Sequence, residues 1–420
     1  MPRITPPEID PLHHPPSGAF GIAGGHGHKM KGRGWGVLAL LVLSISGTTV
    51  CADPAKPERW TSALSATFDQ LVREGLVFGA QVVAGQAERV QLEHYVGWRS
   101  HRQLELVDAD TMFGVGSDSK PMASAVIMKL VEEGRLQLDE PVSRWLPEYD
   151  SLQLRDGEPA ERSPTVREVM THRAGFYSQK KKLTREQSRL IRDFSQSLAQ
   201  AVQGIAKEPL LTQPGQGYAY SGAGYCVLGR VAEIAAESTM EELLQSRLCE
   251  PLQLSRTTYF PEEDDNVAVG SRRVGGRWVA DSQAPHLTVP DNRFALVGGS
   301  IYSTASDQAR FAQMVWAQGM SEGQRYFSSE LWSEWVERQS PKAKYGLGWG
   351  QTFGVSGDKK MPTRLAHNGA LGSYRAGMVV NLETGFFCVA NWTLAGFSNE
   401  KTVTARVREA VRQAEQAVVK

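Results

Sequence analysis

Hydrophobic positions along this chain recur with two different periods, and the changes of period mark its organisation. Between Pro57 and Gly75 the apolar residues Trp60, Leu64, Phe68 and Leu71 fall three or four apart, which predicts an amphipathic helix. Two β-rich runs follow, Phe78–Gln86 and Val90–Trp98, and predict a hairpin. The far end mirrors this. Gly377–Leu382 and Phe386–Trp392 flank the turn Glu383-Thr384-Gly385, a second hairpin, and Glu400–Val419 carries Val403, Val407, Val411, Ala414 and Val418 on one helical side. Helix and hairpin at both ends predict an α+β protein whose antiparallel sheet is built from both termini and covered by helices. The middle is different: Thr165–His172, Glu186–Ile205 and Gly222–Glu237 have helical patterns, separated by loops such as Gln213-Pro214-Gly215-Gln216-Gly217. A mainly helical lobe, about 116–294, is therefore expected between two parts of a sheet lobe, about 53–115 and 295–420. No internal repeat interrupts this plan.

The stretch Phe113–Leu138 joins the two lobes. Met122, Val126 and Leu130, with Ala123, Ile127 and Val131, predict a helix with a wide buried face, ending at Gly134. Ser117 and Lys120 stand at its mouth, three residues apart, so the hydroxyl and the amine can meet one turn apart. A serine becomes a nucleophile when a base takes its proton, and a lysine can do that if burial lowers its pKa. The bland alternative is a helix N-cap beside a solvated charge. Three further Ser-x-x-Lys matches, Ser178–Lys181, Ser356–Lys359 and Ser398–Lys401, lie in polar stretches.

Composition narrows the function classes. The 420 residues are enough for a large core, and 46 basic against 46 acidic residues, dispersed along the chain, argue against nucleic acid or an anionic membrane surface as partner. Residues 1–29 are rich in Pro, Gly and His and read as a disordered extension upstream of a second start at Met30. From Met30 to Ala52, Lys31 and Arg33 precede the apolar run Val37–Ile45, and Val50-Cys51-Ala52 supplies small residues for cleavage. This predicts a signal peptide, export, and no membrane span once it is removed; an uncleaved leader would act as an anchor. Cys226, Cys249 and Cys388 remain, in apolar contexts and without a C-x-x-C pattern, so neither a disulfide framework nor a metal site is expected. No H-E-x-x-H, phosphate loop or dinucleotide fingerprint occurs, and no cofactor is expected. The absence of G-x-S-x-G argues against an α/β-hydrolase.

Two later stretches carry candidate chemistry. GYAYSGAG at 217–224 puts Tyr220 in a Gly-rich loop before a helix, either as a packed aromatic or as a phenol that shuttles a proton. LAHNGALGSY at 365–374 puts His367 beside Gly369, ahead of the last hairpin. His367 alone reads as a loop residue, and Gly369 would let a substrate acyl group lie close against the backbone.

Taken in order, FGVGSDSK (113–120), LVEEGRLQLDEPVSRWLPEY (130–149), VREVMTHRAGF (166–176), PGQGYAYSGAGYCVLGRVAEI (214–234), GGSIYSTASDQARFAQM (298–314) and AHNGALGSYRAGMVVNLETGFFCVANW (366–392) resemble the serine β-lactamase-like and penicillin-recognising hydrolases. The likeness is to the branch of class C β-lactamases, D-alanyl-D-alanine carboxypeptidases and family VIII esterases, and spans roughly 60 to 392. It implies a β-lactamase/transpeptidase-like fold. Carried over by residue, it implies Ser117 as acylated nucleophile, Lys120 as its proton acceptor and Tyr220 as general base and acid. His367-Asn368-Gly369 would form the third motif on the strand edging the pocket, and the backbone N–H groups of Ser117 and Ala370 an oxyanion hole. Two departures stand out. The middle motif, usually Tyr-x-Asn, is Tyr220-Ser221-Gly222, and His367 stands where lactamases carry a lysine that holds a substrate carboxylate. Both lean towards an esterase or peptidase.

The resulting expectation is a secreted serine hydrolase, acting through a Ser117 acyl-enzyme on an ester or on a peptide or amide bearing a D-residue. The competing readings are a penicillin-binding or cell-wall-fragment sensor that acylates without turnover, and a class C-like β-lactamase. The partner expected in each case is a small molecule or peptide, with pocket walls from Tyr177–Thr184 and Pro261–Pro290.

Overall fold

The helix expected near the start forms as Arg59–Arg73 (α1), and the first hairpin as Val77–Gln86 (β1) and Arg89–Gly97 (β2), in a computed structural model that describes residues 58–100, 105–263, 265–281, 284–289, 292–340, 344–354 and 360–418. The extension over 1–29, the leader over 30–52 with Cys51, and the Ser356–Lys359 match lie outside the described residues. The middle of the chain carries the helices Ser119–Glu132 (α2), Val166–Met170 (α3), Arg185–Arg192 (α4), Leu198–Ile205 (α5) and Gly222–Ala236 (α6). Further along the chain lie Ala305–Trp316 (α7) and Ser329–Val336 (α8). The strands Gly350–Thr352 (β3), Arg364–Leu371 (β4), Tyr374–Asn381 (β5) and Phe386–Leu394 (β6) precede the closing helix Glu400–Val418 (α9).

The six strands form one antiparallel sheet in the order β2-β1-β6-β5-β4-β3, so the first hairpin pairs with the last strand of the chain. Successive residues of a strand point to opposite faces, and the core divides accordingly. On one face Ala80, Val82 and Ala84 of β1 and Cys388, Ala390 and Trp392 of β6 pack with Leu64 and Phe68 of α1 and Val403 and Val407 of α9. On the other face Val83, Phe387 and Val389 join Met378 and Val380 of β5, and these meet α7 and the helical middle of the chain in one larger cluster. Each fully buried aliphatic side chain of this kind contributes about 1.5–3 kcal/mol. The fold is the expected α+β arrangement. Among the described residues no helix is long and apolar enough to cross a membrane. Cys226, Cys249 and Cys388 are buried free thiols.

One expected element divides. The Glu186–Ile205 pattern forms α4 and α5, because Asp193 leaves the helix with extended backbone and its carboxylate accepts the Ser195 N–H at 3.1 Å. Ser197 then restarts the helix through a reciprocal cap with Gln200. The break frees Phe194 from a helical register and turns it towards the cavity beside Ser117.

Candidate active site

Ser117 does not open a regular helix. It sits in a 3₁₀ turn, Gly116–Asp118, and α2 follows at Ser119; Ser117 is not the cap of α2. Gly116 adopts φ +54°, and a Cβ there would lie 2.4 Å from the Ala370 nitrogen, so glycine is demanded twice over, by conformation and by space. The Ser119 hydroxyl fastens the turn, donating to the Gly116 carbonyl at 2.6 Å while accepting the Ile301 N–H at 3.1 Å.

Lys120 lies on the buried face of α2, 1% exposed. Its Nζ donates to the Gly298 carbonyl at 2.7 Å and to Ser117 Oγ at 3.3 Å. Burial disfavours the ammonium and brings the pKa down to about 7, with the smaller effect of the Asp118 carboxyl opposing. Gly298 makes room for this: a Cβ at that position would meet Lys120 Cγ at 2.8 Å and Tyr225 Cγ at 2.9 Å. The spacing of Ser117 and Lys120 is visible in the sequence, but the carbonyl that aims the amine comes from a residue 178 positions away.

Tyr220 reaches the same point from the loop before α6. Burial pushes its phenol up to about 12, and a hydrogen bond with Ser117 works the other way. The Lys120 ammonium lies 4.8 Å from the Tyr220 ring centroid, and that of Lys180 lies at 4.8 Å as well. Behind Tyr220 stands His172, fully buried, 4.4 Å from it ring to ring and 4.7 Å from Tyr345. His172 Nδ1 accepts the Ser221 N–H at 3.2 Å, its carbonyl accepts the Ala219 N–H, and it holds φ +60°. It is thus a clamp on the loop that carries Tyr220. Burial drives the His172 pKa well down, so it stays neutral. His172 lies inside a stretch that carries the family likeness, yet a lone histidine after a short helix gives no sign of this contact. Ser178, which has the look of a polar-stretch residue, is buried and donates to the Tyr220 carbonyl at 2.9 Å.

His367, Asn368 and Gly369 lie on a strand and not in a loop. They belong to β4, paired with β5, while β3 covers the other edge only at Arg364–Ala366. From His367 onward that edge is open and faces the Ser117 turn. The role expected of Gly369 changes accordingly. A Cβ there would fall 1.7 Å from the Val115 carbonyl oxygen and 3.1 Å from the Asp118 nitrogen, so the missing side chain admits the turn itself, not the substrate. Ala370 follows on the exposed side, beside Ser117 in both openings of the site. His367 is buried, with Nε2 3.0 Å from the Tyr345 hydroxyl and Nδ1 3.6 Å from Asp118 Oδ1. Burial lowers the His367 pKa and raises that of Asp118, and the contact between the two side chains opposes both shifts. Asn368 is exposed on the strand.

Ser117, Lys120, Tyr220, His367, Asn368, Gly369 and Ala370 therefore converge, from three separate parts of the chain. Two openings meet at Ser117. One, of about 400 Å³, is walled by Gln179, Ile191, Phe194, Val289 and Leu296. The other, of about 430 Å³, is walled by Lys180, Tyr218, Tyr220, Tyr345 and the His367–Ala370 edge. The expected wall segments contribute Gln179 and Lys180 from one and Thr288 and Val289 from the other. Tyr345 lies outside every stretch singled out in the sequence, and Ile191, Phe194 and Gly298 lie within such stretches without being marked as site residues. Among the described residues no group of His, Cys, Asp or Glu side chains is placed to hold a metal ion.

A model of the Beta-lactamase family matches residues 64–418. The chain belongs to the beta-lactamase family. Relatives with similar sequences include proteins named as an esterase and as a putative D-alanyl-D-alanine carboxypeptidase. Protein Rv1367c of Mycobacterium tuberculosis is 28% identical over 285 residues, 63% of this chain and 69% of that one. Esterase EstB of Burkholderia gladioli is 30% identical over 214 residues, 49% of this chain and 53% of that one. Among solved structures EstCE1, described as a hydrolase with promiscuous acyltransferase activity, superposes with a TM-score of 0.69 at 21% identity, covering 84% of this chain and 98% of that one. The α+β, β-lactamase/transpeptidase-like fold expected from the motifs is the fold of this family.

Proposed function

We propose that this chain is an exported serine hydrolase that cleaves carboxylic esters through an acyl-enzyme on Ser117. The observation that carries the reading is Lys120 Nζ, buried and held 3.3 Å from Ser117 Oγ with a pKa brought down to about 7. A neutral amine at that distance is a base for the hydroxyl near neutral pH, whereas the Tyr220 phenol, pushed up to about 12, is still protonated there. Lys120 takes the Ser117 proton as Oγ bonds to the substrate carbonyl carbon. The resulting oxyanion lies against the N–H groups of Ser117 and Ala370, donors typically worth about 3–4 kcal/mol each. Tyr220 gives its proton to the leaving oxygen as the carbon–oxygen bond breaks, and recovers one from the Lys120 ammonium. Water then attacks the acyl carbon, its proton passes back through the same groups, and Ser117 is released with the carboxylic acid.

Three observations favour an ester over a β-lactam or an amide. His367 is buried and its pKa lowered, so it offers no fixed cation for a substrate carboxylate. Gly222 supplies no side chain where the family motif has an amide. An alkoxide leaves with less protonation than an amine, and one relative bears the name esterase. The test is turnover of p-nitrophenyl butyrate. Ser117→Ala should abolish it and abolish the acyl adduct seen by intact-mass spectrometry, while the exposed Ser398→Ala should retain it. An active Ser117→Ala variant sinks the assignment. A burst without steady turnover replaces it with the acylating sensor.

A further inference from the structure

Among the described residues, no backbone hydrogen bond joins the nucleophile turn to β4. At Gly116 and Gly369 the two elements touch through bare backbone, where an added Cβ would lie 2.4 Å from the Ala370 nitrogen or 1.7 Å from the Val115 carbonyl oxygen. Contact of this kind is non-directional. It limits how near the strand comes to the turn, but not how far it slides along it. The sliding matters because β3 holds β4 only at Arg364–Ala366, and the free edge beyond carries the Ala370 N–H of the proposed oxyanion hole.

One pair of side chains spans the gap. Asp118 is 0% exposed and directly follows Ser117, and its Oδ1 lies 3.6 Å from Nδ1 of His367, three residues before Ala370. The His367 ring is held from its other side, with Nε2 3.0 Å from the Tyr345 hydroxyl, and Tyr345 packs on His172, the clamp of the Tyr220 loop. The ring therefore meets Asp118 in a set orientation. Burying a carboxyl and an imidazole is unfavourable unless each satisfies the other, and apolar residues of similar size are often as stable or more so. Stability is thus a poor reason for the pair, whereas a directional contact is what the bare backbone approach lacks.

We infer that Asp118 is a positioning residue: through its contact with the His367 ring it fixes the register of β4 against the nucleophile turn, and so places the Ala370 N–H relative to Ser117. The aspartate after the nucleophile and the histidine on the strand act as one unit, with the two oxyanion-hole residues at its ends.

This inference rests on the Ser117 acyl-enzyme reading, and the experiment separates the two. Turnover of p-nitrophenyl butyrate is measured at about pH 8.5, above the titration of Lys120, so that a change in that pKa does not enter. Asp118→Ala should lower kcat about a hundredfold, the typical effect of a displacement of about 1 Å at reacting groups, with KM within about threefold of wild type. Asp118→Leu, which fills the space without a polar group, repeats the test should the alanine variant not fold. Asp118→Asn keeps the shape and a polar partner for the ring, and should recover kcat to within about fivefold of wild type. His367→Ala should cost about as much as Asp118→Ala, and the double variant at most about threefold more than either, whereas independent roles would multiply to roughly ten-thousandfold. An Asp118→Ala kcat within about threefold of wild type, losses that multiply, a change in KM in place of kcat, or an Asn variant as slow as the Ala variant would each overturn the inference and leave the Ser117 reading standing. Absence of both turnover and an acyl adduct in the wild-type protein would remove the Ser117 reading itself and the inference with it.

Discussion

On the proposed mechanism, Lys120 sets the pH behaviour of the site. An exposed lysine is protonated throughout the neutral range and cannot accept a proton from serine. Burial of Lys120 lowers its pKa to about 7 because the charged form loses most from leaving water. The sign follows directly: below about pH 7 the ammonium dominates and acylation is slow, and as pH rises through that value the neutral amine and the rate both grow. We expect kcat/KM for p-nitrophenyl butyrate to climb between about pH 6 and pH 8 and then level, with the tyrosine still protonated across that window. His367 titrates lower than usual and cannot produce this limb. Lys120→Arg, which keeps a permanent charge, should be inactive at every pH. A flat profile from about pH 6 to pH 9 would show that Lys120 is not the base. The Ser-x-x-Lys spacing alone carried none of this, because four matches share it, and among the described residues Lys120 is buried while Lys181 and Lys401 are exposed.

At the scale of elements, the site depends on how closely β4 approaches the turn before α2. Two strands of a sheet are held apart by their own hydrogen bonds, but an open strand edge and a helical turn meet through side chains. Here the side chains are missing on both sides, at Gly116 and Gly369. Gly369→Ala would bring a Cβ within 1.7 Å of the Val115 carbonyl, so either the strand or the nucleophile turn must move. A displacement of about 1 Å at reacting groups typically costs on the order of a hundredfold in rate. We therefore expect kcat/KM to fall by about that factor while circular dichroism stays native; activity within about threefold of wild type would show that the close approach is dispensable. The strand itself was hard to read in the sequence. His367-Asn368-Gly369 has neither β-branched residues nor a clear alternation, and its strand form is imposed by pairing with β5. The split of the helix expected over Glu186–Ile205 has the opposite cause, a local turn at Asp193 that outcompetes an otherwise continuous apolar pattern.

For the whole molecule, the sheet joins the two ends of the chain, since β1 pairs with β6 and α1 lies beside α9. The apolar core of this layer is a cluster distinct from the one around α2, while its outer edge reaches the Ser117 site, where Trp392 of β6 and Glu400, Thr404 and Arg408 of α9 line the 430 Å³ opening. Leu64, fully buried between α1 and the sheet, tests that separation. Leu64→Ala should lower the unfolding free energy by about 2–5 kcal/mol in urea titrations. Its kcat on p-nitrophenyl butyrate under native conditions should remain within about twofold of wild type. A large loss of kcat without loss of stability would mean that the terminal layer is coupled to the site.

The terminal helices and hairpins were legible because each has a single periodic face, at a period of 3.6 or 2, and such a face must be buried wherever it lands. The order of Ser117, Lys120, Tyr220 and His367 was legible for another reason: chemistry needs particular residue types, and their flanking text is distinctive. What no linear pattern contains is distance between segments. The Gly298 carbonyl that aims Lys120, the His172 ring behind Tyr220, and the Gln179 amide beside Gly222 are each placed by packing across the sequence. The residue types of the proposed nucleophile and base were thus determined along the chain. The lowered pKa of Lys120, and the shape of the cavity beside Ser117, were decided only when burial and close packing brought those segments together.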